Sequence, residues 1–279
     1  MRVRFCGVRG SSPAPGPDYL RYGGNTSCVA LAHGDAPPTL ALDAGTGLVN
    51  LSRVLAGEPF RGTLLVGHLH WDHTHGLPFF VAGDREGSRV RFVMPEQGDP
   101  VTVLARMMSP PHFPIGPTEL RGDWSFAGLD AGEHELEGFT VVAADIPHKG
   151  GRTFGYRISD GTSTLAYLSD HCPLAIDAGP DGEGARHALA VDLCRDADLL
   201  IHDAQYTSEE RQVALDFGHS TIAYAVALAA ETGVRRLALY HHNPFRTDDQ
   251  IDELLAKAQA SAPVGLDVLA AAEGVELVL

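Results

Sequence analysis

The sequence predicts an α/β domain whose two halves are largely β, and two observations predict it. Short apolar runs rich in Val, Leu, Ile and Phe recur along the chain, bounded by Gly, Pro or Asp. Between them lie a few segments with helical spacing, and no repeat, low-complexity tract or obvious linker breaks the series. With 279 residues, 44% apolar and 20% charged, the chain can bury a substantial core, and we read residues 1–279 as one domain.

The predicted strands are Val3–Val8, Cys28–Ala32, Thr39–Asp43, Thr63–Gly67, Arg89–Met94, Phe139–Asp145, Phe154–Ile158, Thr164–Ser169, Leu199–His202 and Leu237–Tyr240. Three helices are predicted. Thr46–Ala56 ends before Gly57; Ser220–Thr232 has Ser220 as its expected N-cap and stops at Gly233. Asp248–Ala260 carries Asp and Glu in its first turn, as the helix dipole prefers. The segment Pro95–Gly138 reads as irregular, and "SPPHFPIGP" at 109–117 as a loop.

Composition narrows the function. No stretch approaches the roughly 20 apolar residues of a membrane span, and the amino terminus lacks the apolar core of a signal peptide, so a cytoplasmic enzyme is expected. Cys6, Cys28, Cys172 and Cys194 show no CxxC or CxC spacing, which argues against a zinc ribbon, a redox pair or a disulfide framework. Buried free thiols are expected instead. Lys plus Arg number 21 against 36 Asp plus Glu, a formal charge of −15. That balance favours a small substrate over a long nucleic acid, whose binding needs several cationic contacts to phosphate.

The chemistry concentrates in "GHLHWDHTHG", residues 67–76, directly after an apolar strand. In extended backbone His68 and His70 point the same way and can share one ion, while Asp72 and His73 turn toward a second. Imidazole and carboxylate donors suit zinc, manganese or iron. Further donors stand at later strand ends: His148 in "DIPHKGG", Asp170 in "LAYLSDH" and His241 in "LALYHHNP". Donors from several strand ends meeting in one cleft is how α/β sites are generally built.

This series, HxHxDH followed by a lone His, a strand-end Asp and a final His, resembles the metallo-β-lactamase fold superfamily. "GYRI", "LAYLSD", "DLLIHDAQY" and "GHST" resemble its branch of tRNA 3′-processing endonucleases and cyclic-phosphate phosphodiesterases. The resemblance implies a four-layer αββα sandwich with a binuclear site along one edge, holding two divalent ions, Zn²⁺ or Mn²⁺. One ion would take His68, His70 and His148, the second Asp72, His73 and His241, and Asp170 would bridge them. Asp43 in "LDAGTG" matches a supporting residue. His241 and His242 both suit the last position; His241 is preferred because it sits where the ligand does in the related endonucleases. His242 is then a candidate substrate contact. His75 falls outside the motif.

Two divalent ions about 4 Å apart can share a hydroxide at neutral pH and clamp a phosphoryl oxygen. By the resemblance, Asp203 and His219 pair to protonate the leaving group, the acidic residue holding the ring as a general acid requires. Asp72, Asp203 and His219 are therefore the expected catalytic residues. The expected reaction is hydrolysis of a small cyclic phosphodiester, a cyclic nucleotide or cyclic ribose phosphate. The "VRGS" and "GGNTSC" stretches resemble the anti-Pycsar nucleases, which degrade cyclic mononucleotides. An RNase Z-like endoribonuclease acting on RNA 3′ ends is the alternative, but its tRNA-gripping arm has no room: His148 and Asp170 are joined by "KGGRTFGYRISDGTSTLAYLS", two strands and a turn. A redox or purely binding member of the fold is a further alternative. The 109–117 loop reads either as an ordinary surface loop with Pro-fixed geometry or as one that covers the base or reaches a dimer partner. In the second case His112 and Phe113 are the candidate substrate contacts, and a homodimer is the expected assembly.

Overall fold

A computed structural model describes residues Met1–Leu279. Its strands, in chain order, are β1 (Arg2–Gly7), β2 (Cys28–Ala32), β3 (Leu40–Leu42), β4 (Arg61–Leu65), β5 (Arg89–Pro95), β6 (Asp123–Leu129), β7 (Gly132–Leu136), β8 (Phe139–Asp145), β9 (Phe154–Ser159), β10 (Thr164–Leu168), β11 (Leu199–Asp203), β12 (Arg236–Tyr240), β13 (Asp267–Ala270) and β14 (Glu276–Val278). The helices are α1 (Leu48–Val54), α2 (Trp71–Thr74), α3 (Pro100–Ala105), α4 (Ala188–Cys194), α5 (Arg211–Phe217), α6 (Ile222–Glu231) and α7 (Asp248–Ser261). The strands form two seven-stranded sheets, ordered β14-β1-β2-β3-β4-β5-β6 and β13-β12-β11-β10-β9-β8-β7. Each sheet joins an antiparallel half to a parallel half, the switch falling at β3 in the first and β10 in the second.

Alternation along single strands shows how the layers stack. In β10, Leu165 and Tyr167 enter the largest buried cluster while Ala166 and Leu168 enter another; in β12, Ala238 and Tyr240 divide from Leu237 and Leu239 in the same way. Side chains of a strand point to opposite faces in turn, so each strand is buried on both sides. The largest cluster fills the space between the sheets, with Val3, Phe5, Leu31 and Leu42 from one and Val141, Ile158, Leu199 and Ile201 from the other. A second lies under α4 and α6, and a third under α1 and α3 on the opposite outer face. Three apolar interfaces between four layers give an αββα sandwich, as expected.

Every strand expected from the sequence is present within a few residues. The Pro95–Gly138 segment is more regular than expected: it holds α3, β6 and β7. The 109–117 stretch is the loop it was expected to be. Ser220 does not cap its helix; Thr221 does, its hydroxyl accepting the Tyr224 amide at 3.1 Å, because the Ser220 amide is committed to Asp203 at 3.2 Å. All four cysteines are free and buried, as expected.

A buried arginine ties the amino-terminal loop to the segment after β12. Arg9 is fully buried, donating to Gly23 O (2.8 Å), Arg246 O (2.8 Å) and the Asp248 carboxylate (3.1 Å). Arg9→Met is expected to cost about 3–5 kcal/mol, because it leaves Asp248 buried without its cation. Urea unfolding would measure it. Partial recovery in the double variant Arg9→Met/Asp248→Asn is the expected signature, and a loss below about 1 kcal/mol would contradict this role.

The topology also prepares a site. β8, β10, β11 and β12 run in the same direction, so the segments leaving them emerge at one edge of their sheet. The segments after β3 and β4 emerge opposite, where the Gly67 backbone carbonyl accepts the Phe154 amide across the gap at 2.9 Å. Clefts of open α/β sheets form at such carboxyl ends.

Candidate metal centre

The chain after β4 stays extended through His70 and then turns into α2. This delivers His68 and His70 to one side and buries Asp72 and His73 in the turn that follows. His148 follows β8, Asp170 follows β10 and His241 follows β12. His68, His70, His148 and Asp170 bring one donor atom each to within 4.8 Å of one another, and Asp72, His73 and His241 form a second such group.

Asp170 faces both groups. Its Oδ2 lies 3.6 Å from His68 Nε2 and 3.5 Å from His148 Nε2, and its Oδ1 lies 3.1 Å from His73 Nε2 and 3.3 Å from His241 Nε2. Asp72 Oδ2 lies 3.2 Å from His73 Nε2 and 3.0 Å from His241 Nε2. One carboxylate thus offers an oxygen to each half.

Hydrogen bonds from behind fix which ring nitrogen points inward. His73 Nδ1–H donates to Asp43 at 2.6 Å, His241 Nδ1–H to Gln205 Oε1 at 3.2 Å, and His148 Nδ1–H to Gly218 O at 2.5 Å. Each leaves Nε2 as the free lone pair. Asp43 is itself held by the Tyr167 hydroxyl (2.6 Å) and the Gly67 amide (2.8 Å), in left-handed backbone at φ 61°. Asp43 therefore sits where a supporting residue was expected.

Burial pushes His68 and His70 down and His148 down to about 4, which keeps these rings neutral, the form that binds metal. Burial acts against charge on Asp72 and Asp170 as well, but the surrounding histidines reverse it and both carboxyls are held well below the usual range. For His73 and His241 burial is likewise outweighed, by the neighbouring carboxylates, and both are pushed up. Asp72 and Asp170 are therefore charged, and a bound cation would compete with protons for the Nε2 atoms of His73 and His241.

The residues fit a pair of divalent ions. Nε2 of His68, Nε2 of His73 and Oδ1 of Asp170 are buried and have no hydrogen-bond partner, an arrangement that costs free energy unless a cation takes them. Imidazoles and carboxylates without a thiolate suit zinc or manganese. Asp203 and His219 stand beside the centre: His219 Nδ1 is 3.0 Å from Asp203 Oδ2 and 3.7 Å from Asp170 Oδ2. Asp203, fully buried, also accepts the amides of His171, Gln205 and Ser220, at 3.2, 3.1 and 3.2 Å.

Three expected substrate contacts are placed elsewhere. His242 is turned away from the centre: its Nε2–H donates to Ala271 O at 2.8 Å, and burial pushes the ring down to about 3. The cause is backbone pairing. His242 N donates to Val8 O and Gly10 N to His242 O, both at 2.9 Å, which fixes His242 against the amino-terminal segment, while the left-handed backbone of His241 (φ 58°) turns its ring inward. His112 is exposed, and Phe113 packs edge-on against Phe79 at 5.8 Å. Neither lines the cavity of about 360 Å³ over the centre, which Ser11, His70, Trp71, Asp72, Asp170 and His219 bound. His75 is exposed and outside the cluster.

Sequence reasoning missed Ser11, Gln205 and Tyr167. The Ser11 amide donates to Asp72 at 2.7 Å, and Gln205 bridges Ser11 Oγ (3.0 Å) to His241. Their stretches, "VRGS", "DAQY" and "LAYLSD", carried only a resemblance for these three, since nothing local says where a serine amide points. Gly10 matters through absence of a side chain, because a Cβ there would collide with the His241 ring. Gly10→Ala is expected to displace His241 and weaken metal binding about 10–100-fold, the usual scale for disturbing a ligand's support. Metal titration with elemental analysis would show it, and unchanged metal affinity would contradict the packing argument.

Paired sheets with a His/Asp cluster at the strand ends of both define a metallo-β-lactamase-type sandwich. The family model described as the beta-lactamase superfamily domain matches residues 39–242, and the chain belongs to that family. It is similar to the ribonuclease Z of Geobacillus kaustophilus (strain HTA426), with 26% identity covering 94% of this chain and 95% of the relative. Among solved structures it is similar to the metallo-beta-lactamase fold protein YhfI from Bacillus subtilis, with TM-score 0.71, 18% identity, and coverage of 99% of this chain and 98% of that one. It is also similar to a diphosphatase of the PhnP family, with TM-score 0.67, 16% identity, and coverage of 100% and 97%. These two likenesses show a shared fold.

Proposed function

We propose that the protein is a metal-dependent phosphodiesterase that hydrolyses a small cyclic phosphodiester, a cyclic nucleotide or cyclic ribose phosphate. The observation that carries it is the joining of two donor groups by Asp170, with the Asp203–His219 pair against the same carboxylate. Two ions, Zn²⁺ or Mn²⁺, would be held by His68, His70 and His148 on one side, by Asp72, His73 and His241 on the other, and by Asp170 between them. Bound there, such a pair supplies Lewis acidity and a nucleophile at neutral pH.

The protein's own groups do the rest. Asp43, Gln205 and the Gly218 carbonyl hold the imidazoles in the required tautomer. The Ser11 amide fixes Asp72. His219, held through Nδ1 by Asp203 and lining the cavity, presents Nε2 to protonate the leaving sugar oxygen.

The ribonuclease Z relative favours a second reading, cleavage of RNA 3′ ends. Against it, β9, the turn and β10 fill the chain between His148 and Asp170, leaving no arm to grip tRNA, and the formal charge is −15. The reading includes a homodimer, supported by exposed apolar side chains at Phe79 (54% exposed), which packs against Phe113 of the 109–117 loop, and at Val81 (68%). Light scattering would test it. No helix is long and apolar enough to cross a membrane.

The deciding experiment is a panel of 2′,3′- and 3′,5′-cyclic nucleotides, cyclic ribose phosphate and precursor tRNA, assayed with Mn²⁺ or Zn²⁺. Turnover of a cyclic substrate well above that of tRNA is expected. Cleavage of precursor tRNA alone would replace this reading with the second, and a metal-loaded protein inert on every diester would remove both.

A further inference from the structure

We propose that a second cavity beside the metal centre binds a nucleobase, so that the substrate class is a mononucleotide diester and not a base-free sugar phosphate or an RNA strand. This rests on the phosphodiesterase reading above. The cavity, about 720 Å³, is larger than the one over the metal centre, and Ser11 lines both. The two therefore meet at the residue whose amide holds Asp72.

Its walls present aromatic rings. Phe245 is 85% exposed and Phe217 63% exposed, and both line the cavity. Rings so open contribute little to the protein's own packing, and their faces are free to stack on a planar group. Position supports the same occupant. Tyr206, also in the lining, has its ring 5.9 Å from that of His219, and Phe217 lies two residues before His219 in the chain. The cavity therefore flanks the residue assigned to protonate the leaving oxygen, which is where the sugar and base of the ring-opened nucleotide belong.

Charge excludes the alternatives. Arg246 is the one cation in the lining, and its Nη2 is already paired with Glu210 at 2.8 and 3.1 Å. Glu253 adds a second carboxylate. A neutral base meets no penalty there, whereas a further phosphate, which a continuing RNA strand would bring, meets net negative charge. A base-free sugar phosphate would leave the aromatic walls unused.

The test is calorimetric binding of the four nucleoside 5′-monophosphates and of ribose 5-phosphate to the metal-loaded protein. At least one nucleotide is expected to bind ten-fold or more tightly than ribose 5-phosphate. Phe245→Ala, at an exposed position that does not threaten folding, is expected to cut that affinity ratio about 5- to 100-fold, the range for losing one stacked ring. Phe217→Ala serves as the independent second variant. Equal affinity for nucleotides and ribose 5-phosphate, or a ratio unmoved in both variants, would overturn the subsite. Hydrolysis of bis-p-nitrophenyl phosphate by the unaltered protein separates the two ideas. Base-dependent binding without any diesterase activity would sink the reaction and keep the subsite. Diesterase activity without base-dependent binding would do the reverse.

Discussion

Asp170→Ala is expected to strip the protein of metal and to remove nearly all turnover. Each oxygen of this carboxylate faces a different donor group, at 3.1 and 3.3 Å from His73 and His241 and at 3.5 and 3.6 Å from His148 and His68. Losing it removes a ligand from both halves at once and leaves four imidazoles without their shared counter-charge. Metal catalysis is worth several kcal/mol, and each roughly 1.4 kcal/mol is tenfold, so a fall of at least about 10³-fold follows. Elemental analysis and turnover of bis-p-nitrophenyl phosphate would measure the two effects, with circular dichroism as the check on folding. Asp170→Asn keeps the shape and removes the charge, and it should lose metal as well. Retained metal with retained turnover in either variant would overturn the assignment of Asp170.

His219→Ala is expected to act differently, keeping both ions and losing rate in proportion to how badly the leaving group needs a proton. The imidazole faces the cavity and comes within 4.8 Å of donor atoms of Asp170 and His241, but the nitrogen that faces Asp170, at 3.7 Å, is the same Nδ1 that Asp203 holds at 3.0 Å. General acid catalysis contributes about 10²–10⁴-fold, so a sugar leaving group should slow by that order. p-Nitrophenol leaves without protonation and should slow only a few-fold. Equal losses with both leaving groups, or loss of metal, would show that His219 merely shapes the site. Asp203→Asn should give the same leaving-group dependence in weaker form, because the oxygen that remains can still accept the His171 and Ser220 amides where Oδ2 does.

The strands missed in the sequence share a position. β6, β7, β13 and β14 are the four edges of the two sheets. An edge strand packs one side against a neighbour and leaves the rest to solvent, so it lacks the dense apolar run of an interior strand. "GEHEL" in β7 is the plainest case, with four of its five residues at least partly exposed. The helices missed, α2 to α5, are all seven residues or shorter, too brief to show a helical period. Interior strands were legible because both their faces are buried, as in β2 and β11, where every residue is buried.

The same division runs through the site. His68, His70, Asp72 and His73 could be read from the sequence because one strand end and one turn bring them together. The amino-acid order also determined the interior strands, the excess of acidic groups and the spacing that leaves no arm between His148 and Asp170. Only the tertiary structure decided that His241 faces inward, at φ 58°, while His242 is tied to Ala271. It alone placed Ser11, Gln205 and Tyr167 behind the donors, from positions remote in the chain. Adjacent residues are equals in a sequence. Backbone pairing between distant segments makes them unequal, because it sets which side chain faces the cleft and which nitrogen of a ring is left free.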